Sequence, residues 1–174
     1  MACAVTKGRS LPCKSSVGGL KNVYILDYST TIAALSDSSG TITLPVDGSA
    51  EFFKYEIKGN SSLETAVTSS RENGTTFYET TLNLTLTTID VATQEEIKLL
   101  NRGRAHYVVE DYNSNYFLIG KDNGAEINSG TIVSGAAMGD LSGFTLVASA
   151  QEIAPPFFAT APDVSAVTPI DPNA

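Results

Sequence analysis

The sequence predicts a mainly β fold, a β-sandwich or partly closed barrel with one flanking α-helix. Three observations support this prediction. Apolar and polar residues alternate in several short segments. Strand and turn residues are abundant, with 37 Ser and Thr and 14 Gly among 174 residues. A single segment has helical spacing. The length is that of one domain of roughly 100–200 residues, so we expect a single core.

The first predicted strands are short and separated by turns. Residues 22–28 form the first strand, and a second covers 41–46 after the turn at 37–40. Residues 51–58 then alternate between two faces, which predicts a half-buried strand. Its apolar face consists of Phe53, Tyr55 and Ile57, and its polar face consists of Lys54, Glu56 and Lys58.

The longest alternating segments form a predicted β-hairpin. Residues 63–70 and 75–89 flank Arg-Glu-Asn-Gly at 71–74, and Asn-Gly is a strong signal for a tight hairpin turn. In the second strand, one face carries Tyr78, Leu82, Leu84 and Leu86, whereas the other carries Glu79, Thr81, Asn83, Thr85 and Thr87. This alternation predicts one buried face and one polar face.

One helix is predicted at about 93–102. Thr93 and Glu96 have the spacing of a capping box, in which each side chain bonds the other residue's backbone N–H. Gly103 is suited to end the helix. The predicted apolar stripe consists of Ile97, Leu99 and Leu100.

Two further hairpins and a terminal arm complete the predicted organisation. Strands at 105–110 and 116–120 pair, as do strands at 127–134 and 143–149. Five of the seven prolines lie in the last twenty residues, which predicts an extended arm outside the core. The predicted units are a basic N-terminal segment (1–21), a β domain (22–153) and a Pro-rich C-terminal arm (154–174).

Charge is unevenly distributed along the chain. The net charge of −8 argues against a general nucleic-acid-binding surface. Residues 1–26 carry four basic residues and no acid, whereas residues 105–174 carry eight acids and one lysine. Segments of opposite charge suit head-to-tail contact between identical copies, although ordinary solvated surface also accounts for them.

The residue pattern indicates no catalytic or metal centre, so we expect no enzymatic activity and no cofactor. His106 is the only histidine and falls in a predicted strand, where a structural role is favoured. Residues 111–115 match the first ligand positions of a calcium loop. Tyr116 stands where such a loop needs glycine, so a polar hairpin turn is the favoured interpretation.

The N-terminal residues lack the apolar stretch of a secretory signal, and no run is long enough to span a membrane. We therefore expect synthesis in the cytoplasm and no membrane association. Cys3 and Cys13 are too few for a disulfide scaffold, and we expect both to be reduced and dispensable.

Several segments occur together in a characteristic order from residue 7 to 153. They are Lys-Gly-Arg-Ser-Leu-Pro-Cys-Lys, Val-Gly-Gly-Leu-Lys-Asn-Val-Tyr, the Phe-Lys-Tyr-Glu-Ile-Lys strand, the Thr-rich hairpin, the helix, and Met-Gly-Asp-Leu-Ser-Gly-Phe-Thr-Leu. In order and spacing they resemble the tail tube (major tail) proteins of tailed bacteriophages and the tubes of related contractile injection machines. None of the segments is a signature by itself.

The resemblance implies a structural virion protein that forms hexameric rings stacked into a hollow tail tube. Sheets of neighbouring subunits would join into one continuous inner barrel, through which DNA passes without specific binding. Sheath, baseplate or tail-terminator proteins are the implied partners, and no catalytic residues are implied. The alternatives are a neck or decoration protein of the virion or a carbohydrate-binding β-sandwich. The last is disfavoured because the chain has no Trp.

Two sets of candidate site residues follow from this interpretation. The candidate lumen-facing residues are Glu56, Glu64, Thr68, Glu79 and Thr81. The candidate inter-subunit contacts are Lys7, Arg9, Lys14, Phe157 and Phe158. A wall of hydroxyls and carboxylates is wettable and repels phosphate. The alternative is that this polar face is ordinary outer surface.

Overall fold

A computed structural model describes residues 7–46, 48–57, 59–165 and 170. These residues form ten strands and two helices, and the prediction of a mainly β fold is confirmed. The elements are β1 (Leu20–Asp27), α1 (Thr30–Ala33), β2 (Thr41–Ile42), β3 (Phe53–Glu56), β4 (Ser62–Ser70), β5 (Thr75–Thr87), α2 (Val91–Leu100), β6 (Ala105–Asp111), β7 (Tyr116–Ile119), β8 (Glu126–Val133), β9 (Gly143–Glu152) and β10 (Phe157–Ala159).

The strands form two sheets that do not close into a barrel within the described residues. The six-stranded sheet has the order β2-β10-β7-β6-β1-β3, and the four-stranded sheet has the order β4-β5-β9-β8. All pairs in the four-stranded sheet are antiparallel. In the six-stranded sheet, β10 pairs with β2 in parallel and with β7 antiparallel.

The main hydrophobic core contains residues from both sheets and from α2. The six-stranded sheet contributes Leu20, Val23, Ile25, Ala105, Tyr107, Val109 and Ile119, and the four-stranded sheet contributes Leu82, Leu84, Leu86, Phe144, Leu146, Ala148 and Ala150. Ile97 of α2 joins the same cluster. Each aliphatic side chain of this size contributes about 1.5–3 kcal/mol when fully buried.

A second core covers the opposite face of the six-stranded sheet. Tyr24, Val108 and Leu118 of the sheet pack there with Ile32 of α1 and Phe52. The six-stranded sheet is therefore buried on both faces, and its strands β1 and β6 are buried almost throughout. The four-stranded sheet is buried on one face, which explains why its strands show the clean alternation of the sequence.

The predicted Thr-rich hairpin is present in the expected register. Leu63 lies opposite Leu82, and Val67 lies opposite Tyr78. On β5 the predicted apolar face is buried at Leu82, Leu84 and Leu86, with Thr80 buried beside them. The hairpins β6–β7 and β8–β9 also occur close to the predicted positions.

The helix occurs two residues earlier than predicted, because a different residue caps it. Asp90, not Thr93, is the N-cap, and its Oδ1 accepts a hydrogen bond of 2.7 Å from Thr93 N. Aspartate is as good a cap as serine, and a negative charge at this end is favoured by the helix dipole. Leu99 is 62% exposed, so the predicted apolar stripe is wrong at that residue.

The strand predicted at 51–58 is shorter in the structure, where β3 covers Phe53–Glu56, and the buried aromatic residue is not the predicted one. Phe53 is 49% exposed, whereas Phe52, just before β3, is fully buried in the second core. The prediction placed Phe53 on a buried face because alternation alone does not reveal a second core. Lys58 and Cys3, which entered the sequence-based predictions, lie outside the described residues.

The predicted separation of the C-terminal arm from the core is wrong for its first part. β10 is an internal strand of the six-stranded sheet, between β2 and β7. Phe157 packs against the second core together with Ala159 and Val164. Proline restricts only its own and the preceding residue, so Pro155 and Pro156 do not prevent pairing by the residues after them.

Candidate assembly surface

The outward face of the four-stranded sheet is polar and rich in hydroxyl groups; we refer to it as the hydroxyl face. Its residues are Glu64, Ala66, Thr68, Phe77, Glu79, Thr81, Asn83, Thr85, Glu126, Ser129, Thr131, Val133, Thr145, Val147, Ser149 and Gln151. They alternate with the core residues of β4, β5, β8 and β9, as the two-residue period of a strand requires.

The hydroxyl face is acidic without any compensating base. The four strands contain no Lys or Arg, whereas Glu64, Glu79 and Glu126 all face outward. Glu64 lies opposite Thr81, and Glu79 lies opposite Ala66, so the two carboxylates are diagonal neighbours across β4 and β5. Each subunit therefore has a formal charge of −3 on this face.

Polar side chains on the hydroxyl face bond to one another across strands. Gln151 donates to Glu79 Oε1 at 3.2 Å, and Asn83 donates to Ser62 Oγ at 3.2 Å. Two further contacts, Asn128 with Ser149 and Thr131 with Thr145, join β8 to β9. These contacts hold short side chains against the sheet and leave a flat, wettable surface.

Both edges of the four-stranded sheet are long strands that have no outer neighbour within the described residues. β4 has nine residues and β8 has eight. An unpaired strand edge presents a row of backbone N–H and C=O groups that favours pairing with another strand. The edges of the six-stranded sheet differ, since β2 has two residues and β3 has four.

The structure brings four of the five candidate lumen residues together. Glu64, Thr68, Glu79 and Thr81 share the hydroxyl face. Glu56 lies on β3 in the other sheet and forms an ion pair of 2.8 Å with Lys54. The expectation that the polar faces of β3, β4 and β5 form one common surface is therefore wrong, because the chain passes from one sheet to the other between β3 and β4.

The candidate inter-subunit contacts lie in two separate places. Lys7, Arg9 and Lys14 are exposed in the N-terminal segment before β1, as is Cys13, a free thiol. Phe158 is 49% exposed on β10, and its ring lies 5.0 Å from that of Phe117.

The side-chain amide of Asn113 attaches the N-terminal segment to the β6–β7 turn. Asn113 Oδ1 accepts from Val17 N at 2.9 Å, and Asn113 Nδ2 donates to Val17 O at 2.7 Å. The carboxylate of Asp111 accepts hydrogen bonds from the backbone and side-chain amides of Asn113 and Asn115. Burial raises the pKa of Asp111, but these bonds outweigh it and hold the pKa below its usual value. The residues that resemble a calcium loop thus form a polar hairpin turn.

His106 is a buried member of a hydrogen-bond network around the loop at 120–124. Its Nδ1 donates to Gly120 O at 2.7 Å, and its Nε2 accepts from Ser29 N at 3.0 Å. Burial lowers the pKa of His106, so the imidazole is neutral at pH 7. Gly120 has φ +71°, and a Cβ there would lie 2.6 Å from Ala125 N. These contacts are those of a structural histidine.

A second buried network surrounds Glu110 on β6. Its carboxylate accepts from Lys21 Nζ at 2.9 Å, Asn22 Nδ2 at 2.6 Å and Tyr24 Oη at 2.8 Å. Burial raises the pKa of Glu110, but the three donors outweigh it, and the pKa is lower than usual. Sequence reasoning missed this network because its four members are spread over β1 and β6 and only the sheet brings them together.

Neither of the described helices is long and apolar enough to cross a membrane. Among the described residues, no group of three or more His, Cys, Asp or Glu side chains is placed to hold a metal ion. Comparisons with protein-family models, with curated proteins and with solved structures found no match. The surface features above are therefore the basis for a functional interpretation.

Proposed function

We propose that this protein is the building block of a bacteriophage tail tube, in which six copies form a ring and rings stack around the path of the DNA. The observation that carries the proposal is the four-stranded sheet. It combines two long open edges with an outward face that is acidic, rich in hydroxyl groups and free of Lys and Arg.

The strand directions of this sheet are compatible with a closed ring. Neighbouring strands are antiparallel, so β4 and β8, at the two ends of a row of four, run in opposite directions. When the sheet is repeated by rotation, β8 of one copy comes beside β4 of the next in antiparallel orientation. The ring then continues the same pattern without a break, and every open edge is paired.

The dimensions of such a ring are suitable for a conduit. Six sheets of four strands give 24 strands, and at about 4.8 Å per strand the circumference is about 115 Å. The corresponding diameter between backbones is about 37 Å, and strand tilt widens it further. This leaves room for a DNA duplex after the short side chains of the hydroxyl face are added.

The charge of the hydroxyl face agrees with passage of DNA and not with its retention. The three glutamates on each subunit give a formal charge of −18 for six copies. A negative wall repels phosphate, and a binding groove would need Lys and Arg instead. The face offers a single aromatic residue, Phe77, on which a base could stack.

The six-stranded sheet and its second core would then form the outer body of each subunit. In this arrangement the two sheets pack face to face through the main core, as in a β-sandwich, and the inner one is shared between neighbours. The second core, on the far side of the six-stranded sheet, would then face the outside of the tube.

Negative-stain electron microscopy combined with light scattering tests the proposal. We expect rings or open-ended tubes at high protein concentration, and Ile132→Lys should prevent them because a charge on an edge strand opposes pairing. Leu99→Lys is the matched control, since Leu99 is as exposed as Ile132 but lies on α2. A strict monomer at every concentration and in the presence of tail-tip complexes would contradict the proposal. A single ring of fixed size would favour a neck or decoration protein instead.

A further inference from the structure

We infer that a cleft between α2 and β8 receives the side chain of Val67 from the neighbouring subunit. This inference rests on the proposed function, because it names the contact by which one subunit of the ring holds the next. It also fixes the register in which β4 of one copy pairs with β8 of another.

The cleft is a hollow beside an unpaired strand, and its lining is partly apolar and partly polar. It has a volume of about 300 Å³ and is lined by Ile97 of α2 and the C-cap residue Asn101, by residues 127–132 of β8, and by Phe144 and Leu146 of β9. Ile132 at its margin is 59% exposed. An aliphatic side chain of this size is costly to leave in water, so the cleft is a favourable place for another apolar group.

Gly130 allows the side chain of Leu146 to lie against β8 at the wall of the cleft. It lies opposite Leu146 on the core-side face of β8. A Cβ at this position would lie 2.9 Å from Leu146 Cδ2 and 2.9 Å from Thr145 O, closer than real Cβ atoms approach their neighbours. Leu146 therefore occupies the space that a side chain at residue 130 would take, and it forms an apolar part of the cleft lining.

The opposite edge of the same sheet exposes a matching side chain. Val67 lies on the core-side face of β4, opposite Tyr78, and is 61% exposed. It lies on the edge strand in the last row that β9 reaches, where Glu152 pairs with Tyr78. When β4 pairs with β8 of another copy, Val67 points to the same side of the sheet as Gly130.

The faces of the two strands restrict the register. Gly130 and Ile132 are on the core side of β8, and Thr65 and Val67 are on the core side of β4. The register that fills the cleft places Val67 opposite Gly130. Residues 64–68 then lie opposite residues 133–129, with Ala66 opposite Thr131 on the outer face.

Pairing of the two strand edges is too small by itself to hold a second copy. An edge of eight residues is about 27 Å long and roughly 10 Å thick, which gives about 270 Å². A stable interface needs about 800 Å² per partner. Backbone pairing therefore needs apolar contacts beside it, and the cleft adjoins the edge along which the pairing runs.

Disulfide cross-linking tests the contact and its register. Ala66→Cys and Thr131→Cys are placed in one chain, in which Cys3→Ser and Cys13→Ser remove the native thiols. Within one chain β4 and β8 are three strand spacings apart, about 14 Å, which is beyond disulfide reach. We therefore expect intermolecular bonds alone, seen as a ladder on a non-reducing gel that ends at the closed ring.

The matched control for register is Ala66→Cys with Ser129→Cys, which corresponds to a shift by two residues. We expect at least tenfold more cross-linking for the Thr131 pair. Equal or greater cross-linking of the control would overturn the register, and a ladder from neither pair in samples that contain rings would overturn the contact.

Two further variants separate the cleft contact from folding. Val67→Gln should lower the fraction of protein in rings at least tenfold, whereas Leu99→Gln, at an equally exposed apolar residue on α2, should not. Both subunits should melt at the wild-type temperature, because both side chains are exposed in the isolated subunit. Normal rings with Val67→Gln would contradict the inference while leaving the proposed function intact. Cross-linked rings that never stack would contradict the proposed function while leaving the contact intact.

Discussion

Under the proposed function, reversing the charge of the hydroxyl face should give a tube lumen that holds DNA. In the double variant Glu64→Lys with Glu79→Lys, the formal charge of this face changes from −3 to +1 per subunit. For six copies the change is 24 units per ring. The two residues are diagonal neighbours, so a like-charged pair replaces another like-charged pair and the fold should tolerate the exchange.

The expected loss of subunit stability is small. The Gln151–Glu79 hydrogen bond of 3.2 Å is lost, and it lies on an exposed face. Surface substitutions of this kind usually change the free energy of unfolding by about 0.5 kcal/mol or less. The subunits should therefore fold and assemble, and the effect should appear in the interaction with DNA.

The assay is retention of labelled duplex DNA by assembled tubes as a function of salt concentration. If 6–10 phosphates are neutralised, DNA retention should fall by about 10³–10⁵-fold between 50 and 200 mM salt. The reason is that binding releases counterions from the DNA, and a higher salt concentration opposes this release. Wild-type tubes should retain no DNA. In an infecting phage the variant tubes should slow or stall genome delivery.

The matched control is Glu51→Lys with Glu95→Lys, which makes the same change of charge outside the four-stranded sheet. This control should leave DNA retention low and infection normal. Variant tubes that assemble fully, retain no DNA and deliver the genome at the normal rate would refute the assignment of the hydroxyl face to the lumen.

Three further predictions concern stability, each measured by urea unfolding of the isolated subunit. Glu110→Gln should lower the free energy of unfolding by about 1–3 kcal/mol at pH 7. Because the pKa of Glu110 is lowered in the folded protein, this difference should be fully present above the unfolded pKa of 4.5 and should disappear as the pH falls further. A difference that persists at pH 2 would contradict this prediction. Asp90→Ala should lower the free energy of unfolding by about 0.5–2 kcal/mol through loss of the N-cap. An unchanged free energy of unfolding would favour Thr93 as the N-cap instead. Phe157→Ala should cost about 2–4 kcal/mol because the ring packs on the second core, whereas Phe158→Ala should cost less, and the reverse order would contradict the placement of β10.

Much of the four-stranded sheet could be predicted from the sequence. The Thr-rich hairpin, its Asn-Gly turn and the two faces of β5 were assigned correctly, because one face of this sheet is in contact with water and alternation therefore reports burial. Burial in the six-stranded sheet was harder to predict from the sequence. It is buried on both faces, so Phe52 and Phe53 are not distinguished by their pattern, and the short helix α1 has too few residues to show a period.

β8 shows why the candidate contact needed the tertiary structure. Ile127 and Ile132 are five residues apart, and a regular strand would place them on opposite faces. A bulge between Ile127 and Ser129 adds one residue, so both isoleucines lie on the core side of the sheet. Without the bulge, the apolar margin of the cleft is not visible in the sequence.

The sequence by itself determined the class of the fold and the acidic, hydroxyl-rich character of one strand face, because composition and two-residue periodicity are local properties. The tertiary structure decided which strands share a sheet and which remain at its edges. It separated Glu56 from Glu64 and Glu79, brought β10 into the six-stranded sheet, and left β4 and β8 open at opposite edges. These features depend on contacts between residues far apart in the chain, which no local pattern specifies.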